Sequence, residues 1–166
     1  MRSKLAVLAI VALGVLFAGS AVADANGKRE RTLRLVATQI QSEFLDLGAP
    51  GISLGDEFVF SETLSRRGEE VGTSGGVCTV TEVVPPYDVV TFHCVATLSL
   101  DRGQITLQGL IEMQGENDQG PFIVAITGGT GDFFAAGGEA KVRVVSETRT
   151  IYKLRFVSQN HHKRKK

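Results

Sequence analysis

The chain has 166 residues, of which 43% are apolar, and its formal net charge is zero. This length suits one domain with one core, and the 19 glycines together with the many Val, Thr, Ile and Phe residues favour a β-rich fold. The charge is uneven, because residues 35–156 hold sixteen acidic against eight basic residues while the C-terminal end is basic. An acidic body argues against a nucleic-acid-binding face, so no nucleic acid partner is expected.

The chain opens with the three parts of a secretory signal peptide. Arg2 and Lys4 supply positive charge, residues 5–17 form an apolar run, and the small residues Ala21 and Ala23 predict cleavage after Ala23. The apolar run is too short for a comfortable membrane span. The mature protein is therefore expected to be secreted, without stable membrane association. An uncleaved N-terminal anchor is the alternative.

The mature chain divides into a linker, a barrel and a tail. Residues 1–23 are the signal peptide, residues 24–31 predict a flexible linker, residues 32–158 a β-barrel domain, and residues 159–166 a basic, disordered tail. Turn-rich segments separate pieces of strand length within the domain. The predicted strands are residues 32–44, 56–65, 76–84, 88–100, 103–114, 121–127, 138–147 and 149–157. Eight successive strands with short connections predict an all-β fold, an eight-stranded antiparallel up-and-down barrel.

The strand register of one predicted hairpin follows from the position of its turn. If its turn is centred on Pro86, Cys78 lies opposite Cys94 and Val80 lies opposite Phe92. An oxidising compartment permits a disulfide there, closing a loop of roughly 17 residues that is worth about 3 kcal/mol. A reactive Cys78 beside an unlinked Cys94 is the alternative. No metal site is expected, because further ligands at metal-binding spacing are missing.

The same register collects apolar side chains on one face of each strand. Even-numbered residues are apolar along residues 88–100, and the pattern recurs in residues 56–65 and 149–157. The candidate residues for lining a ligand cavity are Phe58, Phe60, Val80, Phe92, Leu98 and Tyr152.

Two carboxylates fall on this apolar face. Glu62 lies between apolar neighbours, whereas Glu82, predicted opposite Val90, is close to a strand end, where a solvated side chain is expected more often than an inward one. A buried carboxylate must be paired, protonated or wetted by a cavity. Glu62 is therefore a candidate catalytic residue, with Cys78 as the second.

A glycine-rich loop at residues 127–131 superficially resembles the phosphate loop of dinucleotide-binding folds. The third glycine of that fingerprint is replaced by Phe134, and strands rather than a helix are predicted to follow. No nucleotide or other cofactor is expected. The glycines instead predict sharp turns at a barrel corner.

Four segments in constant order carry a family resemblance. Residues 125–138 resemble the motif shared by plant allene oxide cyclases and dirigent proteins, and residues 55–64, 71–78 and 103–109 are similar to the second, third and fifth strands of that family. The resemblance implies an eight-stranded barrel with an apolar cavity, usually assembled as a homotrimer. It also implies a cavity-lining cysteine, which Cys78 matches.

The known catalytic sets of that family are not reproduced. The cyclases have an acidic residue and an asparagine on the first strand, and residues 35–41 contain neither. The dirigent proteins have an aspartate late on the fifth strand, where Glu112 is displaced by one place and so faces the other side. The expected function is an isomerase or cyclase acting on a small apolar molecule. The alternatives are a non-catalytic binding barrel for apolar ligands and a dirigent-like guide of radical coupling.

Overall fold

A computed structural model describes residues 28–85, 89–115 and 120–159 of the chain. The predicted signal peptide and most of the basic tail lie outside these residues. The strands are β1 (Lys28–Leu45), β2 (Glu57–Arg66), β3 (Glu69–Val84), β4 (Val89–Leu100), β5 (Gly103–Gln114), β6 (Phe122–Gly129), β7 (Gly137–Ser146) and β8 (Arg149–Gln159). Within the described ranges, no helix is long and apolar enough to cross a membrane.

The strands close into one antiparallel barrel. Each strand pairs with its neighbours in sequence, and β8 pairs with β1 from Lys28 opposite Gln159 to Thr38 opposite Arg149. Closure joins the first and last strands of the sheet, and the alternation of side chains sends one face of every strand into the interior. The predicted eight-stranded up-and-down barrel is confirmed.

Two strands begin earlier than the sequence predicts. Residues 28–31 were expected in a flexible linker, but they extend β1 and pair with the last residues of β8. The linker prediction is wrong for these four residues because ladder hydrogen bonds hold a polar segment that has no apolar alternation. β3 starts seven residues early because Arg67 and Gly68, with φ of 55° and 92°, make a two-residue hairpin turn to β2.

The register of the β3–β4 hairpin is as predicted up to a bulge. Cys78 lies opposite Cys94 and Val80 opposite Phe92, but the pairing then shifts between Val80 and Glu82. Glu82 lies opposite Thr91, not opposite Val90, and its side chain is exposed. A bulge adds one residue to one strand and turns the following side chain to the other face. The predicted pairing of Glu82 with Val90 is therefore wrong, whereas the solvated position expected for this strand-end side chain is the one observed.

One end of the barrel is plugged. The guanidinium of Arg31 lies 5.3 Å from the ring centroids of both Phe133 and Phe156, and it donates hydrogen bonds to the Asp132 carbonyl and the Ser158 hydroxyl. Phe133 comes from the short 3-10 turn Gly131–Phe133 in the β6–β7 connection. Cation–π contact and burial of both rings pack this end of the interior, and the same three residues line a groove of about 530 Å³ on its outer side.

The glycine-rich connection is tight, as the sequence predicts. Gly131 has φ of 59°, and a Cβ there would lie 2.3 Å from the carbonyl oxygen of Arg102 on the neighbouring turn. We expect Gly131→Ala to lower the free energy of unfolding by about 2 kcal/mol, because it adds both backbone strain and a backbone clash. Chemical denaturation measures this.

Gly137 is the matched control in the same connection. A Cβ at Gly137 meets nothing within 4 Å, and its φ lies outside the left-handed region. Gly137→Ala should therefore change the free energy of unfolding by less than about 1 kcal/mol. Equal losses in the two variants would contradict the assignment of strain to Gly131.

Candidate functional site

The half of the barrel opposite the plug contains a cavity of about 380 Å³. Its lining includes Phe44 at the end of β1, Phe58 at the start of β2, and Ser146 and Glu147 at the β7–β8 turn, so it opens at that end of the barrel. Its wall is mostly apolar and aromatic, and this volume suits a small-molecule ligand. The apolar wall consists of Phe44, Phe58, Phe60, Phe92, Ala96, Leu107, Ile111, Met113, Phe122, Val124, Val142 and Val144.

Depth along each strand decides whether an inward residue lines the cavity or fills the plug. On β2, Phe58, Phe60 and Glu62 line the cavity, whereas Leu64 is fully buried below it. The other strands follow the same order. The packed layer below the cavity includes Leu35, Ala37, Leu64, Leu98, Ile105, Ile126, Ala140, Leu154 and Phe156.

The absence of a side chain at Gly76 leaves room for an aromatic ring in the cavity wall. Gly76 on β3 lies opposite Phe60, and a Cβ at Gly76 would come within 2.7 Å of the tip of the Phe60 ring. The Phe58 and Phe60 rings lie 5.9 Å apart in a stacked arrangement. The glycine therefore lets two aromatic rings lie along one side of the cavity.

Glu62 is the acidic group of the deep cavity. Its side chain is buried, and its Oε2 accepts hydrogen bonds from the Ser74 hydroxyl at 2.5 Å and the Tyr152 hydroxyl at 2.9 Å. Within the described part of the chain, no hydrogen bond reaches Oε1. One carboxylate oxygen is therefore fixed by two donors, while the other is free to meet a ligand.

Tyr152 acts as a donor in this arrangement. Burial, together with the charge of Glu62 and their hydrogen bond, raises the pKa of the Tyr152 phenol well above 10.0. The phenol consequently stays protonated across the physiological range. It holds the carboxylate and does not compete with it as a base.

The cysteines form a disulfide in the cavity wall. The sulfur atoms of Cys78 and Cys94 are 2.01 Å apart, and both residues line the cavity. The disulfide predicted from the hairpin is thereby present. A catalytic Cys78 thiolate is the wrong expectation for this structure, because its sulfur is already bonded.

The structure brings together four of the six predicted lining residues. Phe58, Phe60, Phe92 and Tyr152 lie on the cavity wall with Glu62. Leu98 points inward but lies in the packed layer below, with 0% of its surface exposed. Val80 is buried under the rim, where its backbone exchanges hydrogen bonds with Gly55 and Asp56. Neither Leu98 nor Val80 lines the cavity.

Several polar residues of the site were not found from the sequence. Ser74 lies on β3 opposite Glu62, and Gln39 on β1 lies opposite Glu62 from the other side. The Gln39 amide donates to the Ser42 hydroxyl at 2.8 Å. Only the pairing of β1, β2 and β3 reveals these neighbours, and a serine or glutamine in a strand carries no signal of its own.

The rim of the cavity is held by a buried aspartate. Asp56 accepts hydrogen bonds from the backbone N–H groups of Leu47, Gly48 and Ser53 in the β1–β2 connection. Burial alone would raise the pKa of the Asp56 carboxyl, but these hydrogen bonds outweigh it and hold the pKa below 3.8. The carboxylate therefore fixes the loop at the cavity mouth.

We expect Asp56→Asn to destabilise the protein at neutral pH, because an amide nitrogen would face a backbone N–H donor. Since the folded-state pKa of Asp56 is lowered, its contribution is fully present above pH 3.8 and is lost as the pH falls through the lowered value. Thermal unfolding at neutral pH and well below pH 3.8 measures this. The gap between wild type and variant should narrow in acid, and a constant gap would contradict the role of the charge.

The fold and the cavity define a class of protein: a closed β-barrel that can hold a small molecule beside a buried acid. The sequence pattern described as "Allene oxide cyclase barrel like domain" matches residues 36–157. The chain belongs to this family, and it is a barrel of the cyclase-like and dirigent-like kind. The resemblance inferred from the four motifs is confirmed.

This chain is similar to several solved structures. Pyocyanin demethylase is 34% identical, with a TM-score of 0.66 over 75% of this chain and 99% of that protein. An exo-specific intermolecular Diels-Alderase is 14% identical (TM-score 0.62, 78% and 99% coverage). A pterocarpan synthase dirigent protein is 16% identical (TM-score 0.58, 80% and 96% coverage). The last two share the fold. No curated protein matches the sequence significantly.

Proposed function

We propose that this chain is an enzyme that binds a small, flat and largely apolar ring compound in the cavity and performs acid–base chemistry on it. Glu62 is the proposed proton acceptor. The observation that carries the proposal is the buried Glu62 carboxylate in the cavity wall, with one oxygen fixed by Ser74 and Tyr152 and the other without a hydrogen bond from the described residues. Such a group is oriented before the ligand arrives.

The substrate class follows from the cavity wall and one relative. Phe58, Phe60 and Phe92 offer aromatic faces to a planar molecule. The solved relative with 34% identity is named a pyocyanin demethylase. Pyocyanin itself is a flat, N-methylated aromatic compound. We therefore propose a pyocyanin-like aromatic compound as substrate. Glu62 would accept a proton from the bound molecule. Loss of the methyl carbon as formaldehyde would take one water molecule and would pass two electrons to an oxidised aromatic compound as co-reactant.

Isomerisation or cyclisation of an apolar substrate is the second candidate. The two stacked rings of Phe58 and Phe60 form a continuous wall that can hold a flexible chain in a folded, near-attack shape. This reaction needs no group beyond an oriented carboxylate and a dry cavity. The mass of the product separates the two candidates, because demethylation removes one CH₂ unit while isomerisation leaves the mass unchanged.

The test uses pyocyanin as the first probe. Amino-acid side chains do not absorb visible light, so changes in the visible absorbance of pyocyanin report binding directly. Purified protein is titrated with pyocyanin and then incubated with it, and the products are separated and weighed by mass spectrometry. Saturable binding with a product of altered mass or retention supports the proposal. Absence of binding would rule out the pyocyanin-like substrate class.

Export and assembly complete the proposal. The predicted signal segment and the Cys78–Cys94 disulfide both support an oxidising, extracellular location with cleavage after Ala23. Exposed Val95, Leu110 and Ile123 on the outer faces of three adjacent strands are compatible with a homotrimer. Intact and native mass spectra of protein from the culture medium test both points. A chain starting at Asp24 and a threefold native mass are expected.

A further inference from the structure

The outer face of β1, β8 and β7 carries a row of basic side chains. Arg34 on β1 lies directly opposite Lys153 on β8, and Lys153 lies directly opposite Lys141 on β7. All three side chains are exposed. Neighbouring strands are about 4.8 Å apart, so three positive charges span roughly 10 Å across the sheet. Like charges directly opposite each other destabilise a sheet.

In the next row of side chains along the same strands, the positive charge is neutralised by neighbouring carboxylates. Arg155, two residues after Lys153, has a Glu139 oxygen at 2.9 Å on one side and a Glu30 oxygen at 3.9 Å on the other. The strands thus supply carboxylates to the neighbouring cation. Within the described part of the chain, no ion pair is formed by Arg34, Lys141 or Lys153.

The basic row lies in a concave part of the surface. A groove of about 320 Å³ is lined by Arg34, Gly120, Pro121, Lys141, Arg143, Ile151 and Lys153. Arg143 adds a fourth cation, two residues along β7 from Lys141. None of these residues lines the barrel cavity, so the groove is a separate feature.

We infer that this groove binds a ligand with two or more closely spaced phosphate groups. Such a ligand would place negative charge along the row and remove the repulsion between its members. Arginine side chains can bind phosphate oxygens in pairs, and lysine side chains add point charges. A free phosphate compound and the headgroups of a phospholipid surface offer the same chemistry.

The test compares two sources of phosphate with two variants. Wild type is titrated calorimetrically with inorganic pyrophosphate, and sedimented with phosphatidylglycerol or phosphatidylcholine vesicles. Lys141→Gln/Lys153→Gln removes two cations of the groove. Arg67→Gln/Arg149→Gln is the matched control, because it removes the same charge at exposed positions outside the groove.

We expect the groove variant to bind pyrophosphate at least about 10-fold more weakly than wild type, since charge-assisted hydrogen bonds are lost, while the control variant binds like wild type. Binding of vesicles but not pyrophosphate would assign the site to headgroups. Equal weakening in both variants, or no binding to pyrophosphate or to anionic vesicles, would overturn the inference.

Thermal unfolding provides an independent measurement. Without phosphate, the groove variant should have a Tm at or above that of wild type, because repulsion within the row is removed. With pyrophosphate, the Tm of wild type should rise by ligand linkage, and that of the groove variant should rise less at the same pyrophosphate concentration. A Tm rise of the same size in both proteins would contradict a site in the groove. Pyocyanin binding should be unchanged in either variant.

Discussion

Glu62→Gln is expected to lower turnover of a bound substrate by about 100-fold or more, which is the scale of a lost general base. Glutamine has nearly the same shape and can still accept one hydrogen bond from Ser74 or Tyr152. It cannot take a proton from the ligand. Binding of pyocyanin should therefore stay within a few-fold of wild type. Absorbance titration and product formation under saturating pyocyanin measure the two quantities separately.

Two further variants make this result specific. Glu82→Gln is the same chemical change at an exposed position on the outer face, and it should leave turnover unchanged. Glu62→Asp keeps the carboxylate but withdraws it by one methylene group, so it should retain more activity than Glu62→Gln. Unchanged turnover in Glu62→Gln would remove Glu62 from the mechanism. Parallel losses of binding and turnover would indicate a role in ligand binding alone.

Cys78→Ala/Cys94→Ala is expected to lower the free energy of unfolding by about 3 kcal/mol. The disulfide joins residues separated by 16 positions, and its removal restores the conformational entropy of that loop in the unfolded chain. For a domain of this size the loss corresponds to a Tm lower by about 10 °C. Alanine is preferred to serine because both residues line an apolar cavity wall.

Reductant gives the internal control for the disulfide. Wild type should lose a similar amount of stability when thermal unfolding is measured with reductant, whereas the alanine variant should not respond. A variant that loses further stability in reductant would show that the effect has another source. Equal stability of oxidised wild type and the variant would mean that the disulfide contributes little to the fold.

Strand alternation and one turn predict much of the barrel. The Cys78–Cys94 and Val80–Phe92 pairs follow from the turn centred on Pro86, because register propagates along a regular ladder. The prediction fails at Glu82, where the bulge adds a residue that no periodicity reveals. It also fails at residues 28–31, whose polar character conceals their pairing with β8.

The sequence predicts which side chains of the candidate site point inward, but it does not predict how deep in the barrel they lie. Alternation gives the face of a side chain, and it correctly turns Glu62 and Tyr152 inward. It does not give depth, so Leu98 was placed in the cavity although it belongs to the layer below. It also cannot bring Tyr152 to Glu62, since these residues are 90 positions apart and meet only when the barrel closes.

Among the described residues, the packed layer below the cavity separates it from the barrel end where Arg31, Phe133 and Phe156 lie. Under the proposed function, substrate and product would share the opening beside the β1–β2 loop that Asp56 holds in place. Bound product prevents the next substrate molecule from binding in the same cavity. Added product should therefore be a competitive inhibitor and not a mixed inhibitor. Turnover at saturation would be limited by product departure wherever chemistry is fast, and loosening the rim would speed arrival and departure together.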